Sequence, residues 1–565
     1  MPTTSAQLHQ LIEDQWEAWM KYDPLFATYV GDHRYNDQLP TATEEAFQAW
    51  HDALSDFRTR LDQISTKEFS QADQLDCELF RHLLDDEIAE LDFHAYRLPI
   101  SRCAGYHTML PDMFQLMPFE QAQDYEKYIS RLNAFRHYNN QNMDLMREGL
   151  RTGFLPPNCT LTEIDKQIKA QIVAEPQKSV FYQPFTQFPT SISASDKKKL
   201  SSAAEKALMS SVIPAYQDLL HFVESEYQPA ARESIACADL PDGKAFYTHR
   251  IHYYTSLHLT AEQVHQIGLD EVKRIREEMV KVINETGWHE DMPEFLEFLR
   301  SDPQFYVSTP QALLEKTALV LKRMDGELPY LFKTLPRLPY GIREVPAYSA
   351  EGETAAYYNP GSGDGTRPGM YYVNTYDLPS RPLYEIEALS LHEAVPGHHL
   401  QIALQAELSD LPMFRRYCGY QSFVEGWALY AERLGLEAGF YTDPYSNFGR
   451  LSYEMWRACR LVVDSGMHAL GWTRQQAIDH LAENTSSTLL NIINEVDRYI
   501  AWPGQALAYK LGELKIRELR RRAEQKLGNQ FNLREFHDVI LLSGAVPMDI
   551  LEKKVDRWIR TVRGV

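Results

Sequence analysis

Residues 385–400 read EIEALSLHEAVPGHHL, and this stretch decides both the architecture and the chemistry expected of the chain. Glu385 to Leu391 are good helix formers, and they lead into His392-Glu393. His398 and His399 follow after Ala394-Val395-Pro396-Gly397. A His-Glu pair with another histidine close by is the donor set of a zinc hydrolase. Neutral imidazoles hold the ion, and the carboxylate takes a proton from water. The usual spacing, HExxH, puts both histidines on one helical face. Here the fifth position is Pro396, which offers no ligand. On an ideal helix the residue at i+6 faces elsewhere, and i+7 rises roughly 10 Å, too far for two ligands about 2 Å from one ion. An undistorted helix therefore cannot make the site. Pro396 forbids such a helix, since it lacks an N–H and pushes Val395 out of the αR region, while Gly397 permits unusual dihedrals. A kink or bulge brings a histidine back to the metal, His398 in preference to His399. Taken alone, surface histidines on a helix–turn–helix would fit the octamer equally well.

The third ligand is expected on a following helix. In SFVEGWALYA, residues 422–431, Glu425 is the only charged residue. A buried carboxylate must be paired or must coordinate a cation, so Glu425 is either a ligand or half of a buried salt bridge. Glu432, beside Arg433, reads as part of a solvated face.

The rest of the chain supplies a frame. It has 565 residues, with 57 Lys and Arg against 79 Asp and Glu, a net charge of −22. Apolar residues make up 44% and charged residues 24%, an ordinary globular composition that excludes fibres and largely disordered chains. The acidic balance argues against nucleic acid and anionic membrane as partners, because both need a basic face. No apolar run is long enough to span a membrane, and the start, MPTTSAQLHQLIEDQWEAW, lacks the pattern of a signal peptide. Cys77, Cys103, Cys159, Cys237, Cys418 and Cys459 are scattered without a CxxC pair, which fits reduced thiols in a cytoplasmic protein.

Most of the sequence has helical periodicity. Leu8, Leu11, Ile12, Trp16, Trp19 and Met20 form one apolar face that Asp23-Pro24 terminates. Long amphipathic runs cover 41–98, loops are expected at 153–160 and 183–196, and 197–226 is helical. A turn cluster at 240–243 divides an N-terminal helical lobe, 1–240, from a catalytic lobe, 241–565. Thr260 with Gln263 has the form of a capping box. Residues 336–374 are rich in Tyr, Val, Pro and Gly and read as short strands near 341–349, 354–358 and 370–375. A break falls at Trp502-Pro503-Gly504. His249, His252, His258 and His265 read as ordinary helix residues. No GxSxG nucleophile motif is present.

HEAVPGHHLQ followed by VEGWALYAE resembles the HExxPGHH family known as domain of unknown function 885, placed with the gluzincin-type metallopeptidases. The stretches DGTRPGMYYVN (364–374), LVVDSGMHALGW (461–472) and RYIAWPGQALAYKLG (498–512) share in the resemblance, which covers nearly the whole chain. It implies zinc held by His392, His398 and Glu425, with Glu393 as general base and then proton donor. It also implies a mainly α fold, gluzincin-like, with a small antiparallel sheet beside the metal-binding helix and a deep cleft between two lobes. Such peptidases hold the substrate backbone on an edge strand, which points to Met370–Asn374 and its Tyr372. His468 and Tyr499, in the downstream segments, are candidates for stabilising the oxyanion. Arg498, Tyr509 and Lys510 are candidates for holding a substrate carboxylate. A core His or Tyr and a solvated basic face are the plainer readings of those residues. Many relatives begin with an export or lipoprotein signal, and its lack here favours the cytoplasm. The expected activity is zinc-dependent peptide-bond hydrolysis. The alternatives are an amidohydrolase of a small non-peptide substrate and a helical binding protein with an inactive site.

Overall fold

The computed structural model describes residues 3–347, 350, 354–361, 367–417 and 419–564, so Asp364–Thr366 at the start of the DGTRPGMYYVN stretch and Cys418 lie outside the described residues. The chain divides into two compact units, Met1–Phe246 and Tyr247–Val565. The first is built from helices. Thr3 caps Thr4–Tyr22 by accepting from the Ala6 N–H, and Leu8, Leu11, Ile12, Trp16 and Met20 are buried along one face. Asp23 ends that helix and caps the next, whose first turn accommodates Pro24 without losing a hydrogen bond. The core of this unit gathers Tyr128, Phe135, Phe181 and Tyr216 around the long Ala122–Thr152 helix. One correction applies here: the expected loop at 183–196 begins inside a 3₁₀ helix, Val180–Phe185, because Phe181 and Phe185 are buried in that core.

The second unit carries the HEAVPGHH segment. Thr260 and Gln263 form a reciprocal capping box that opens Ala261–Glu285. This helix packs along Pro444–Ala469, the buried axis of the unit. Gln421–Leu434 crosses Ala508–Leu527 where Gly426 meets Gly512. A Cβ on Gly426 would lie 2.5 Å from the Gly512 carbonyl carbon, so only glycine lets the two backbones come this close. The crossing fixes the depth of Glu425, the residue before Gly426. Fully buried Lys510 ties three helices together, with its Nζ 2.8 Å from Glu454, 2.9 Å from Glu513 and 3.0 Å from Glu271.

The sheet has three strands, β1 (Tyr340–Glu344), β2 (Ala356–Asn359) and β3 (Gly369–Val373), in the order β1-β3-β2. It is mixed rather than antiparallel: β1 runs parallel to β3, with Tyr340 opposite Gly369, and β2 runs antiparallel to it, with Ala356 opposite Val373. The connection across 345–355 is too long for a tight hairpin, and β3 inserts between its two predecessors. β3 is therefore the central strand and offers no free edge, which removes Met370–Asn374 as the edge strand expected to receive a substrate. Its Tyr372 stacks on Tyr357 of β2 with ring centroids 5.0 Å apart.

Asp464, fully buried on Pro444–Ala469, accepts from the Tyr247 hydroxyl at 2.6 Å and from the Gly504 N–H at 3.2 Å. Burial pushes its carboxyl up to about 7, although Tyr247, Gly504, Arg498 and Arg250 all favour the charged form. The folded protein thus holds a proton there that the unfolded chain releases near pH 4, and stability falls as pH rises from about 4 to 7. Asp464→Asn keeps an acceptor but has no proton to lose. Its melting temperature should decline less steeply than the parent's across pH 4–7. Parallel Tm-against-pH curves for the two proteins would refute this assignment.

Among the described residues, no helix is long and apolar enough to cross a membrane. Among the described residues, Cys77, Cys103, Cys159, Cys237 and Cys459 take part in no disulfide.

Candidate metal centre

The helix Ile386–Glu393 stops one residue after His392, and a new helix, His398–Glu407, begins at His398. Ala394 and Gly397 between them leave helical geometry, with ψ of −103° and −126°, and the Val395–Pro396 peptide is cis. A Cβ on Gly397 would sit 1.9 Å from the His392 carbonyl oxygen, so the turn closes only around glycine. Two hydrogen bonds hold the break. The His399 N–H donates to the Ala394 carbonyl at 3.0 Å, and the Trp427 indole N–H donates to the Pro396 carbonyl at 2.9 Å. Trp427 is itself fully buried two residues after Glu425, so the ligand helix and the broken helix are held in register.

The turn carries His398 back over His392. Their rings are 4.8 Å apart and nearly perpendicular, at 87°. The Nε2 atoms of both lie 3.6 Å from the same Glu425 oxygen, Oε2. Ligands of a tetrahedral ion at about 2.1 Å stand roughly 3.4 Å from one another, so these separations fit a shared cation. They are too long for hydrogen bonds. Glu425 Oε2 and His398 Nδ1 are buried and have no hydrogen-bond partner among the described residues. A buried carboxylate oxygen in that condition is costly unless a cation meets it. The donor set therefore fits a divalent metal of the zinc class.

Electrostatics support the same fit. Burial would raise the Glu425 carboxyl, yet His398, His392 and Arg460 hold it down to about 2. Burial lowers the His398 imidazole to about 4 and keeps it in the neutral, ligating form. Burial also disfavours charge on His392, but Glu425 and Glu432 outweigh it and raise the ring to about 9, a field that favours a cation between the two carboxylates. Glu393 is partly exposed. Burial, reinforced by Glu425 and Glu432, lifts it to about 7, where a carboxyl can both accept and return a proton.

The reading of Glu432 needs correction: it is buried, not solvated. Its Oε1 receives a 2.7 Å hydrogen bond from His392 Nδ1 and lies 3.6 Å from Arg457 Nη2. A carboxylate behind a ligating imidazole fixes its tautomer and orientation. Glu432 follows Glu425 by two helical turns on the same face, and that spacing was the available signal.

Other candidates have other partners. His399 turns away from the centre, with Nε2 3.1 Å from the Leu338 carbonyl and Nδ1 2.8 Å from the Tyr358 hydroxyl. His468 and Tyr499 do meet, but in the core: His468 Nε2 is 3.0 Å from the Tyr499 carbonyl. The Tyr499 hydroxyl donates to Glu495 at 2.6 Å and accepts from Arg460 at 2.8 Å, so its proton is committed. Lys510 is neither a solvated nor a substrate-facing cation, because three carboxylates enclose it. Arg498 is held by Glu495 at 2.9 Å and by Gln505 at 2.7 Å. Tyr509 alone of that group bears on the centre. It is half-buried, and its hydroxyl is raised by burial and by the nearby Glu425 charge. Of the second histidine group, His265 is bound to the Val462 carbonyl at 3.1 Å, and His252 stacks on His258.

The chain belongs to the family described as bacterial protein of unknown function (DUF885), which matches residues 24–555. It is similar to the crystal structure of a candidate lipoprotein from Colwellia psychrerythraea, at 29% identity and a TM-score of 0.94, over 99% of this chain and 100% of the other. A candidate lipoprotein of unknown function from Shewanella oneidensis shares the fold, at 17% identity and a TM-score of 0.69, over 98% of this chain and 99% of the other. No curated protein matches the chain.

Proposed function

We propose that this protein is a zinc-dependent hydrolase of peptide bonds, related to the gluzincin-type peptidases. The observation that carries the reading is the convergence of two imidazole nitrogens on one partnerless carboxylate oxygen, 3.6 Å from each, next to a carboxyl poised near neutrality. His392, His398 and Glu425 would hold the ion. Zinc, when bound, supplies Lewis acidity that polarises a carbonyl and acidifies water. The protein's own groups do the rest. Glu393 accepts the proton of the attacking water and delivers it to the leaving amine. Glu432 holds the His392 ring in its ligating tautomer. Tyr509, whose hydroxyl feels the Glu425 charge, would take the donor role in place of His468 and Tyr499. β2 packs against Ile386–Glu393 and pairs only with β3 among the described strands, so its outer edge is the one that would receive an extended peptide.

The test is metal removal. Protein stripped with a chelator should lose hydrolysis of a mixed peptide library and regain it with about one equivalent of zinc. Full activity in the stripped protein would refute the proposal, and cleavage of small amides without any peptide would move it to the amidohydrolase class.

A further inference from the structure

The carboxylate that orients His392 has a cation of its own behind it. Glu432 and Arg457 are both buried, 2% and 5% exposed, so water does little to screen one charge from the other. Arg457 Nη2 stands 3.6 Å from Glu432 Oε1, the same oxygen that receives the 2.7 Å hydrogen bond from His392 Nδ1. Among the described residues, no other carboxylate is paired with Arg457. His392, Glu432 and Arg457 come from three different helices, Ile386–Glu393, Gln421–Leu434 and Pro444–Ala469. The row is therefore set by the tertiary fold and not by pairing along one helix.

The fold asks little else of this guanidinium. Nη1 donates to the Tyr453 carbonyl at 3.3 Å, one turn back on its own helix. Nε is buried and has no hydrogen-bond partner among the described residues. The rings of Tyr453 and Trp456, with centres 4.5 Å and 4.9 Å from Cζ, fix where the charge sits. At 3.6 Å the contact with Glu432 is one of charge and not a hydrogen bond. A buried carboxylate without a counter-charge is costly, and it relieves that cost by moving or by changing partners. With Arg457 in place, Glu432 stays where the His392 Nδ1–H needs an acceptor, and Nε2 is the nitrogen left facing His398 and Glu425.

We propose that Arg457 is a positioning residue of the metal centre: it anchors Glu432 and, through it, keeps His392 Nε2 aimed at the ion, while touching neither ion nor substrate. This rests on the zinc reading of the site and extends it one residue further back.

Zinc affinity, read without turnover, tests the role. Metal-stripped parent, Arg457→Gln, Arg457→Lys, Glu432→Gln and the Glu432→Gln/Arg457→Gln double variant would each be titrated with zinc against a chromophoric chelator. Arg457→Gln should bind zinc at least about tenfold more weakly, the scale of a lost supporting contact. Arg457→Lys should stay within about threefold of the parent, because a contact of charge alone needs no guanidinium fork. Once residue 432 is glutamine, Arg457→Gln should change the affinity by less than about twofold, since no charge is left to anchor. That comparison and the lysine variant leave no buried carboxylate unpaired, so both stand even where Arg457→Gln alone fails to fold. Unchanged or tighter zinc binding in Arg457→Gln, the result of simple repulsion between two cations, overturns the inference. So does a loss in Arg457→Lys as large as in Arg457→Gln, or an equal loss in both backgrounds, the mark of a merely structural arginine. A parent that takes up no zinc overturns the hydrolase reading as well, whereas a zinc-binding parent indifferent to Arg457 leaves that reading standing.

Discussion

Glu393→Gln should bind zinc as the parent does and hydrolyse peptides on the order of 10²–10⁴-fold more slowly, the scale of a lost general base. Glutamine has nearly the shape of glutamate, so the turn at 394–397 and the ligand set are left intact. It cannot accept a proton, and the position is one where burial and two neighbouring carboxylates hold the glutamate near pH 7, ready to take and return one. Because Glu393 is not placed as a ligand, kcat and metal content should separate. Steady-state kinetics alongside elemental analysis of the same sample reads both. Parental kcat in the variant contradicts the assigned role, and loss of zinc would make Glu393 a ligand instead.

The next largest effect distinguishes two adjacent histidines. His398→Ala removes one of three ligand atoms and should lower zinc affinity by at least about 10³-fold and remove activity with it. His399→Ala should keep one equivalent of zinc. Its imidazole is spent on the Leu338 carbonyl and the Tyr358 hydroxyl, so its loss should cost stability on the order of 1–3 kcal/mol, seen as a lower Tm. The reverse pattern, with zinc lost from His399→Ala and kept by His398→Ala, would show that the turn is wound the other way in solution.

The helical character and the main break points were legible because they are local. Thr260 and Gln263 cap a helix through contacts three residues apart, and Asp23-Pro24 stops one helix and starts the next. The distortion at Pro396-Gly397 could be read as a necessity, since no regular helix lets His392 meet His398. Strand order could not be read. Composition places strands near 341–349 and 370–375 but says nothing about β3 passing between β1 and β2, which puts β1 and β2, and not β3, at the edges of the sheet. Burial of charged residues was not legible. Glu432 and Lys510 look like surface residues by composition, yet each is buried against partners from other helices, His392 for Glu432 and Glu271 and Glu454 for Lys510, whose own helix adds Glu513.

The most direct measurement is the metal itself. Protein purified without added metal should carry about one zinc per chain by elemental analysis, and anomalous diffraction at the zinc edge should place the ion about 2 Å from His392 Nε2, His398 Nε2 and a Glu425 oxygen. Metal-free protein that takes up no zinc, or an ion bound by other side chains, would contradict the account.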